Sequence, residues 1–153
     1  MRGEIGLDLQ SLTLTERRYA LRTTRQRLHQ PIFRERVLHA YSSACAVCHL
    51  KHVELLDAAH IIEDNKDDGD PVISNGLALC KIHHAAFDRN LLGITPDSVV
   101  KINRQLMHEV DGPMLRHGLQ EMHNKVLFSP RRLLEQPDRY RLDIRFQSFL
   151  NAS

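Results

Sequence analysis

Periodicity divides the chain into a short series of elements. Thr13 followed by Glu16 has the spacing of a capping box and opens a helix running to about His29. Pro31 then ends that helix and suits the first turn of another. In this second helix Phe33, Val37 and Tyr41 fall on one face, with Leu38 beside them. A Cys-bearing turn, CAVCHLKH, comes next, and the apolar run VELLDAAHII reads as a strand. EDNKDDGDP is polar, with a Gly and a closing Pro, and reads as a loop. NGLALC is a second strand, KIHHAAFDRN a short helix, and LLGITPDSVVKI a hairpin turning at Thr95-Pro96-Asp97. After Asp111-Gly112-Pro113 no period stands out until an Arg-rich amphipathic helix from about Asp138 to Leu150. Strand, loop, strand and helix between helical flanks predict an α+β fold.

Composition narrows the class without naming a function. The 153 residues are 42% hydrophobic and 26% charged, which suits a globular domain and sets aside disordered and low-complexity classes. No apolar run approaches the roughly 18–20 residues of a membrane span. The N-terminal MRGEIGLDLQ lacks the basic-then-apolar pattern of a secretory signal, so the expectation is a cytoplasmic protein with no membrane partner.

A net charge of +2 does not by itself announce a nucleic-acid binder, but the average conceals a separation. From Glu16 to Arg36 there are seven Arg against two Glu, and from Glu63 to Asp70 five acids against one Lys. The basic arm, Arg17 and Arg18 included, is a candidate DNA-backbone surface, which would make affinity strongly salt-dependent. Arg131, Arg132, Arg139, Arg141 and Arg145 near the C-terminus form a second basic set of the same kind. The acidic loop is expected to stay away from DNA or to reorder on binding.

Three cysteines are an odd number for a disulfide scaffold. Cys45-x-x-Cys48 and Cys80-x-x-His83 instead give two ligand pairs, each at a spacing that offers two donors to one ion from a tight turn. Cys3His is a standard closed set for structural Zn2+, and it uses every cysteine. A small core with few large apolar residues gains from such a metal. His49 and His52 lie close by and read as solvent-facing turn residues.

Inside this frame sit His60, Asn75 and His84. Phosphodiester hydrolysis needs a base for water and a cation for the developing charge. Histidine titrates near neutrality, so His60 at a strand end suits the base. Asn75 opens the opposing strand, where its amide can hold the loop backbone and thereby the ring of His60. His84 and Asp88 are four apart, so a helix puts both on one face, able to grip a divalent ion, while His83 points about 100° away towards Cys80. Asp57, three residues before His60, faces away from it in a regular strand. Lys81 and Arg89 bracket the helix as candidate phosphate contacts.

These segments, CAVC, LDAAHII, SNGLALC and KIHHAAFD, resemble the HNH nucleases of the ββα-metal fold. The resemblance implies His60 as general base, Asn75 as positioning residue and His84 as ligand of a catalytic cation, Mg2+ or Mn2+. Many HNH enzymes carry an Asp or His ligand immediately before the base, where this chain has Ala59. Together with RLHQPIFRERVLHAY and DGPMLRHGLQ, the pattern is similar to the C-terminal nuclease half of McrA-like SRA-HNH restriction endonucleases, which cut DNA containing modified cytosine. A base-flipping reader does not fit in the residues before Cys45, so the expectation is either a nuclease part of something longer, or a nuclease that works alone or with a separate reader domain or subunit.

The expected organisation is an N-terminal helical arm (1–42), a zinc-stapled HNH core (43–103) and a C-terminal extension with a terminal helix (104–153). The expected function is a metal-dependent DNA endonuclease of a restriction system. Its competitors are a non-catalytic zinc module that binds DNA or a protein, and an RNA nuclease or toxin using the same residues. Double-strand cleavage would favour a homodimer, since each core offers one cation site.

Overall fold

The computed structural model describes residues 13–153. Residues 1–12 of the expected N-terminal arm lie outside the described residues.

Helix α1 (Leu14–Ala40) opens on the capping box expected at Thr13. The Thr13 Oγ1 accepts from Glu16 N at 3.2 Å, and Glu16 Oε2 accepts from Thr13 N at 2.7 Å. The helix does not stop at Pro31, which lies inside it. Proline removes one backbone hydrogen bond and costs about 3 kcal/mol in a helix interior. The residues after it supply the offset: Phe33, Val37, Leu38 and the capping Tyr41 are all buried, each contributing roughly 1.5–3 kcal/mol on burial. The half before the proline has no comparable anchor, and Leu14, Tyr19, Leu21 and Leu28 stay exposed.

Two antiparallel strands, β1 (Leu56–His60) and β2 (Gly76–Cys80), pair from Leu56↔Cys80 to His60↔Gly76. Helix α2 (Lys81–Asp88) follows β2 without a linker and buries His83, Ala86 and Phe87. The C-terminal half of α1 lies against this unit through a close approach at Gly76. A Cβ there would stand 2.5 Å from Val37 Cγ2 and 3.0 Å from Phe33 Cζ, so the position tolerates only glycine without movement of α1. The Tyr41 hydroxyl adds a hydrogen bond to Gly76 O at 3.3 Å.

The expected hairpin is β3 (Leu92–Ile94) and β4 (Val100–Ile102), a separate two-stranded sheet. Beyond it come a single-turn helix α3 (Arg104–His108) and a π-helical turn at Met114–Leu119, in the region where no sequence period stands out. Helix α4 (Arg139–Ala152), capped by Asp138, packs Phe149 over Gly93. The fold is therefore α+β, a ββα unit flanked by helices. Among the described residues, no helix is long and apolar enough to cross a membrane.

Candidate functional site

Helix α2 separates two clusters of chemistry. On one side, Cys45, Cys48, Cys80 and His83 bring their donor atoms within 4.8 Å of one another. The first two come from a tight turn closed by Cys45 N donating to Leu50 O and His49 N donating to Cys45 O, both at 2.9 Å, with His49 at φ 64°. Cys80 ends β2 and His83 lies in the first turn of α2.

The His83 Nδ1 stands 3.3 Å from Cys80 Sγ and 3.6 Å from Cys45 Sγ, and Cys48 Sγ is 4.0 Å from Cys80 Sγ. Tetrahedral ligands about 2.0–2.3 Å from a zinc ion stand at about these separations, and all three cysteines are free of disulfides. The Cys45 thiol is driven far below its ordinary range, first by Cys48 and then by Cys80, while Cys48 is driven up. Burial opposes a charge on His83, yet the sulfurs of Cys45 and Cys80 and the Gly118 carbonyl raise its pKa to about 10.

The opposite ring nitrogen of His83, Nε2, donates to Gly118 O at 2.6 Å, which leaves Nδ1 for an ion. Gly118 belongs to the π-helical turn, and no sequence spacing announces its carbonyl as a partner. The donor set and its supporting hydrogen bond fit a structural Zn2+.

On the other side, His60 ends β1 with its ring stacked on Phe33, centroids 4.2 Å apart and planes 18° apart. The side chain is 13% exposed, and Nε2 is buried with no hydrogen-bond partner. The nearest carboxylate is Asp64 Oδ2, 3.9 Å from Nε2. Burial, the largest influence, lowers the His60 pKa; His84 also lowers it, while Asp64 and Asp88 push it up. The ring is thus biased towards the neutral form that can accept a proton.

Asn75 is fully buried and cross-links the loop between the strands. Its Oδ1 accepts from Ile62 N at 2.9 Å, and its Nδ2 donates to Ile62 O at 3.0 Å and Asp70 O at 3.1 Å. Together with Ile61 N donating to Asn75 O, these bonds hold the two residues directly after His60. The amide therefore acts on the backbone beside the ring rather than on the ring.

His84 and Asp88 share one face of α2, with His84 Nε2 3.2 Å from Asp88 Oδ2. Asp57 lies on β1 where α2 packs against the strand. There its Oδ2 meets His84 Nδ1 at 2.8 Å and its Oδ1 accepts from Lys81 Nζ. Burial would raise the Asp57 pKa, but His84 and Lys81 together lower it. The parity of Asp57 with Ala59, the position where HNH enzymes often carry a ligand, is the sequence signal for this role. Ala59 itself is fully buried and offers no donor. With Nδ1 held by Asp57, His84 presents Nε2 beside Asp88. One nitrogen and one carboxylate suit a divalent cation that completes its shell with water and phosphate oxygens.

The candidate phosphate contacts separate. Arg18, Arg22 and Arg25 line a cleft of about 490 Å³ that His60, Asp64, Lys66 and Asp70 also line. Arg17 is outside that lining, Lys81 is paired with Asp57, and Arg89 is exposed at the end of α2. Asp64 of the acidic loop stands beside His60.

The C-terminal arginines are largely engaged within the fold. Arg139 pairs with Asp97 at 2.6 Å, and Arg141 donates to Asp68 O at 2.9 Å and Ser74 Oγ at 3.3 Å. Arg145 donates to Phe87 O at 2.5 Å and lies over the Phe87 ring at 4.6 Å. Arg131 and Arg132 are exposed.

Residues 45–95 match the family model described as HNH endonuclease. No curated protein matches the chain. Among solved structures, "Modification dependent TagI restriction endonuclease" is similar to it, at 21% identity and a TM-score of 0.52. The alignment covers 76% of this chain and 36% of that one, so the chain spans about a third of that protein's length. The chain thus resembles the HNH endonucleases over its ββα unit, and its fold is shared with part of a modification-dependent restriction enzyme.

Proposed function

We propose that the protein is a metal-dependent DNA endonuclease of a defence system. The observation that carries this reading is His60. It is a half-buried, neutral-biased histidine whose buried Nε2 has no hydrogen-bond partner, at a strand end directly followed by the Asn75 cross-links. A buried nitrogen left without a hydrogen bond costs about 1–3 kcal/mol, and a bound water or substrate oxygen would relieve that cost.

In the proposed reaction His60 Nε2 takes the proton of the attacking water, and Asn75 keeps the backbone beside His60 fixed while it does so. Asp57 orients His84, which with Asp88 would hold Mg2+ or Mn2+. When bound, that cation supplies positive charge to the phosphate and the departing oxygen. Lys81 and Arg89, at the two ends of α2, would meet phosphates on either side of the scissile bond once Lys81 leaves its pairing with Asp57, and Arg17 and Arg18 would meet the strand further along. Cys45, Cys48, Cys80 and His83 would hold structural Zn2+ and so fix the start of α2, from which His84 projects.

The working division is a nuclease core at 43–103, preceded by the expected N-terminal arm (1–42) and followed by the extension (104–153). Modified-base selection would come from a reader domain or subunit outside these residues. Two cuts in a duplex would come from a homodimer.

Plasmid nicking in Mg2+ or Mn2+, on methylated and plain DNA, tests the reading. The wild type should nick and His60→Ala should not. A folded, zinc-loaded wild type that nicks neither substrate would leave the second reading, a non-catalytic zinc module, which the donorless Ala59 favours.

A further inference from the structure

We propose that Asp64, anchored by Gln26 of α1, is a positioning residue of the reaction: its carboxylate stabilises the charge that His60 takes on when it accepts the proton of the attacking water. The inference rests on the nuclease reading of His60 and adds the partner of that base.

Asp64 lies four residues after His60, in the loop that leaves β1, and its Oδ2 stands 3.9 Å from His60 Nε2. That is too long for a hydrogen bond and close enough for opposite charges to attract. The other oxygen, Oδ1, accepts from Gln26 Nε2 at 3.2 Å, so one end of the carboxylate is tied to α1 while the other is left to His60. Gln26 and Phe33 are seven residues apart on α1 and therefore share a helix face. Phe33 stacks on the His60 ring with centroids 4.2 Å apart. One helix face thus holds the ring through Phe33 and the carboxylate through Gln26, and all four side chains line the same cleft.

Burial keeps the His60 ring neutral and ready for a proton, and by the same effect disfavours the imidazolium that results. In the proposed reaction a water O–H bond breaks and its proton goes to Nε2. The water oxygen forms the new bond to phosphorus, and the bond to the departing oxygen breaks with its electron pair left on that oxygen. The positive charge then sits on a side chain that is 13% exposed, where water alone solvates it poorly. Asp64 Oδ2 is the nearest carboxylate oxygen, and a small approach from 3.9 Å makes it the acceptor of the new N–H. After burial, Asp64 is the largest influence on His60 and raises its pKa, ahead of two groups on α2, His84, which lowers it, and Asp88, which raises it. Arg18, Arg22, Arg25 and Lys66 line the same cleft, and so does Asp70, which is drawn instead to Arg141 at 3.4 Å.

The test is plasmid nicking by the full, zinc-loaded chain across pH, with the His60 ring followed in parallel by NMR, its signal assigned by its loss in His60→Gln. Asp64→Asn keeps the shape and an oxygen for Gln26 but removes the charge. Its kcat should fall roughly tenfold, the worth of one opposite charge beside an ionising group, with KM little changed. The acid limb of kcat/KM and the NMR titration of His60 should both move to lower pH than in the wild type, because the charge that raises the His60 pKa is gone. Gln26→Ala leaves that charge but frees its anchor, so kcat should fall less, and adding it to Asp64→Asn should cost little more. Arg18, Arg22, Arg25 and Lys66 are the same in every variant, and melting curves verify that each folds.

A nicking wild type whose Asp64→Asn variant keeps its kcat, or leaves the acid limb and the His60 titration in place, would overturn the proposal. A wild type that nicks nothing while Asp64→Asn still moves the His60 titration would instead defeat the nuclease reading and leave Asp64 as the charge partner of a non-catalytic histidine.

Discussion

His83 and His84 are neighbours in sequence, yet they face two different kinds of site. His83 is 2% exposed, one nitrogen directed at two sulfurs and the other bonded to a backbone carbonyl. His84 is 27% exposed on its side chain and is flanked by two carboxylates. The first site is closed by protein on every donor, as a structural ion requires. The second offers one nitrogen and exposed carboxylate oxygens, and under the proposed function would leave positions open for a reacting ion. An α-helix turns about 100° per residue, so one dipeptide serves both without any extra element. Closed and open sites should therefore fail differently when damaged: the former by unfolding, the latter by losing activity in a folded protein.

The largest effect is expected on the closed side. Cys45→Ser leaves a buried cluster with one donor fewer and takes away the ion that joins the 45–48 turn to β2 and α2. Structural zinc contributes on the order of 10 kcal/mol to small domains that depend on it. The melting temperature should fall by tens of degrees, and elemental analysis should drop from one zinc per chain towards none. A variant that melts within a few degrees of the wild type would remove the distinction between the two sides.

On the open side, His60→Ala and His84→Ala should leave melting and zinc content almost unchanged while slowing nicking by roughly 10²–10⁴-fold, the usual worth of a positioned acid–base group. Unfolding of either variant would mean that its ring supports the core; of the two, His60 is the one stacked on a core side chain, Phe33.

The closed side was the more legible from sequence. Two ligand pairs at fixed spacing lie on local turns, so chain distance predicts spatial distance, and all four donors do meet. On the open side, sequence spacing brought His84 to Asp88 because both lie on one helix. It did not bring Asp57 to His84, since that contact depends on which face of β1 receives α2. The same reason separates the two arginine-rich helices. In sequence the arginines around residue 20 and around residue 140 look alike. In the fold Arg18, Arg22 and Arg25 line the cleft, while Arg139, Arg141 and Arg145 tie α4 to the core. Pro31 misled in the same way, because the burial of Phe33 and Val37 is a tertiary fact that outweighs a local break.

Asp57 gives a smaller and more selective effect. A carboxylate that holds the far nitrogen of a ligand histidine typically changes metal affinity 10–100-fold when removed. Asp57→Ala should weaken Mn2+ binding by that range, read by calorimetry on zinc-loaded protein, with zinc content and melting unchanged. Asp57→Asn can still accept a hydrogen bond from His84 Nδ1 and should recover part of the loss. Equal Mn2+ affinity in all three proteins would make Asp57 a partner of Lys81 only.

The smallest effect concerns pH, and its sign follows from burial. His60 is held below the ordinary histidine value of 6.5 chiefly because burial disfavours its charged form; His84 acts in the same direction, and Asp64 and Asp88 oppose it. For activity, the base stays neutral further into acid than a free histidine would, so the acid limb of kcat/KM should lie below 6.5. For stability, the unfolded chain takes up a proton at His60 as pH falls through 6.5, while the folded chain resists until its own lower pKa is passed. His60 therefore withdraws stability in that window, and none of this loss exists well above it. His60→Gln lacks the titration but keeps a polar group of similar reach. Its melting temperature should decline less steeply than the wild type's between about pH 7.5 and pH 5.5, while the protonation of the cysteine cluster affects both proteins equally and cancels in the comparison. Parallel curves would mean that the folded protein protonates His60 as readily as the unfolded chain does, and the neutral base beside α2 would lose its physical support.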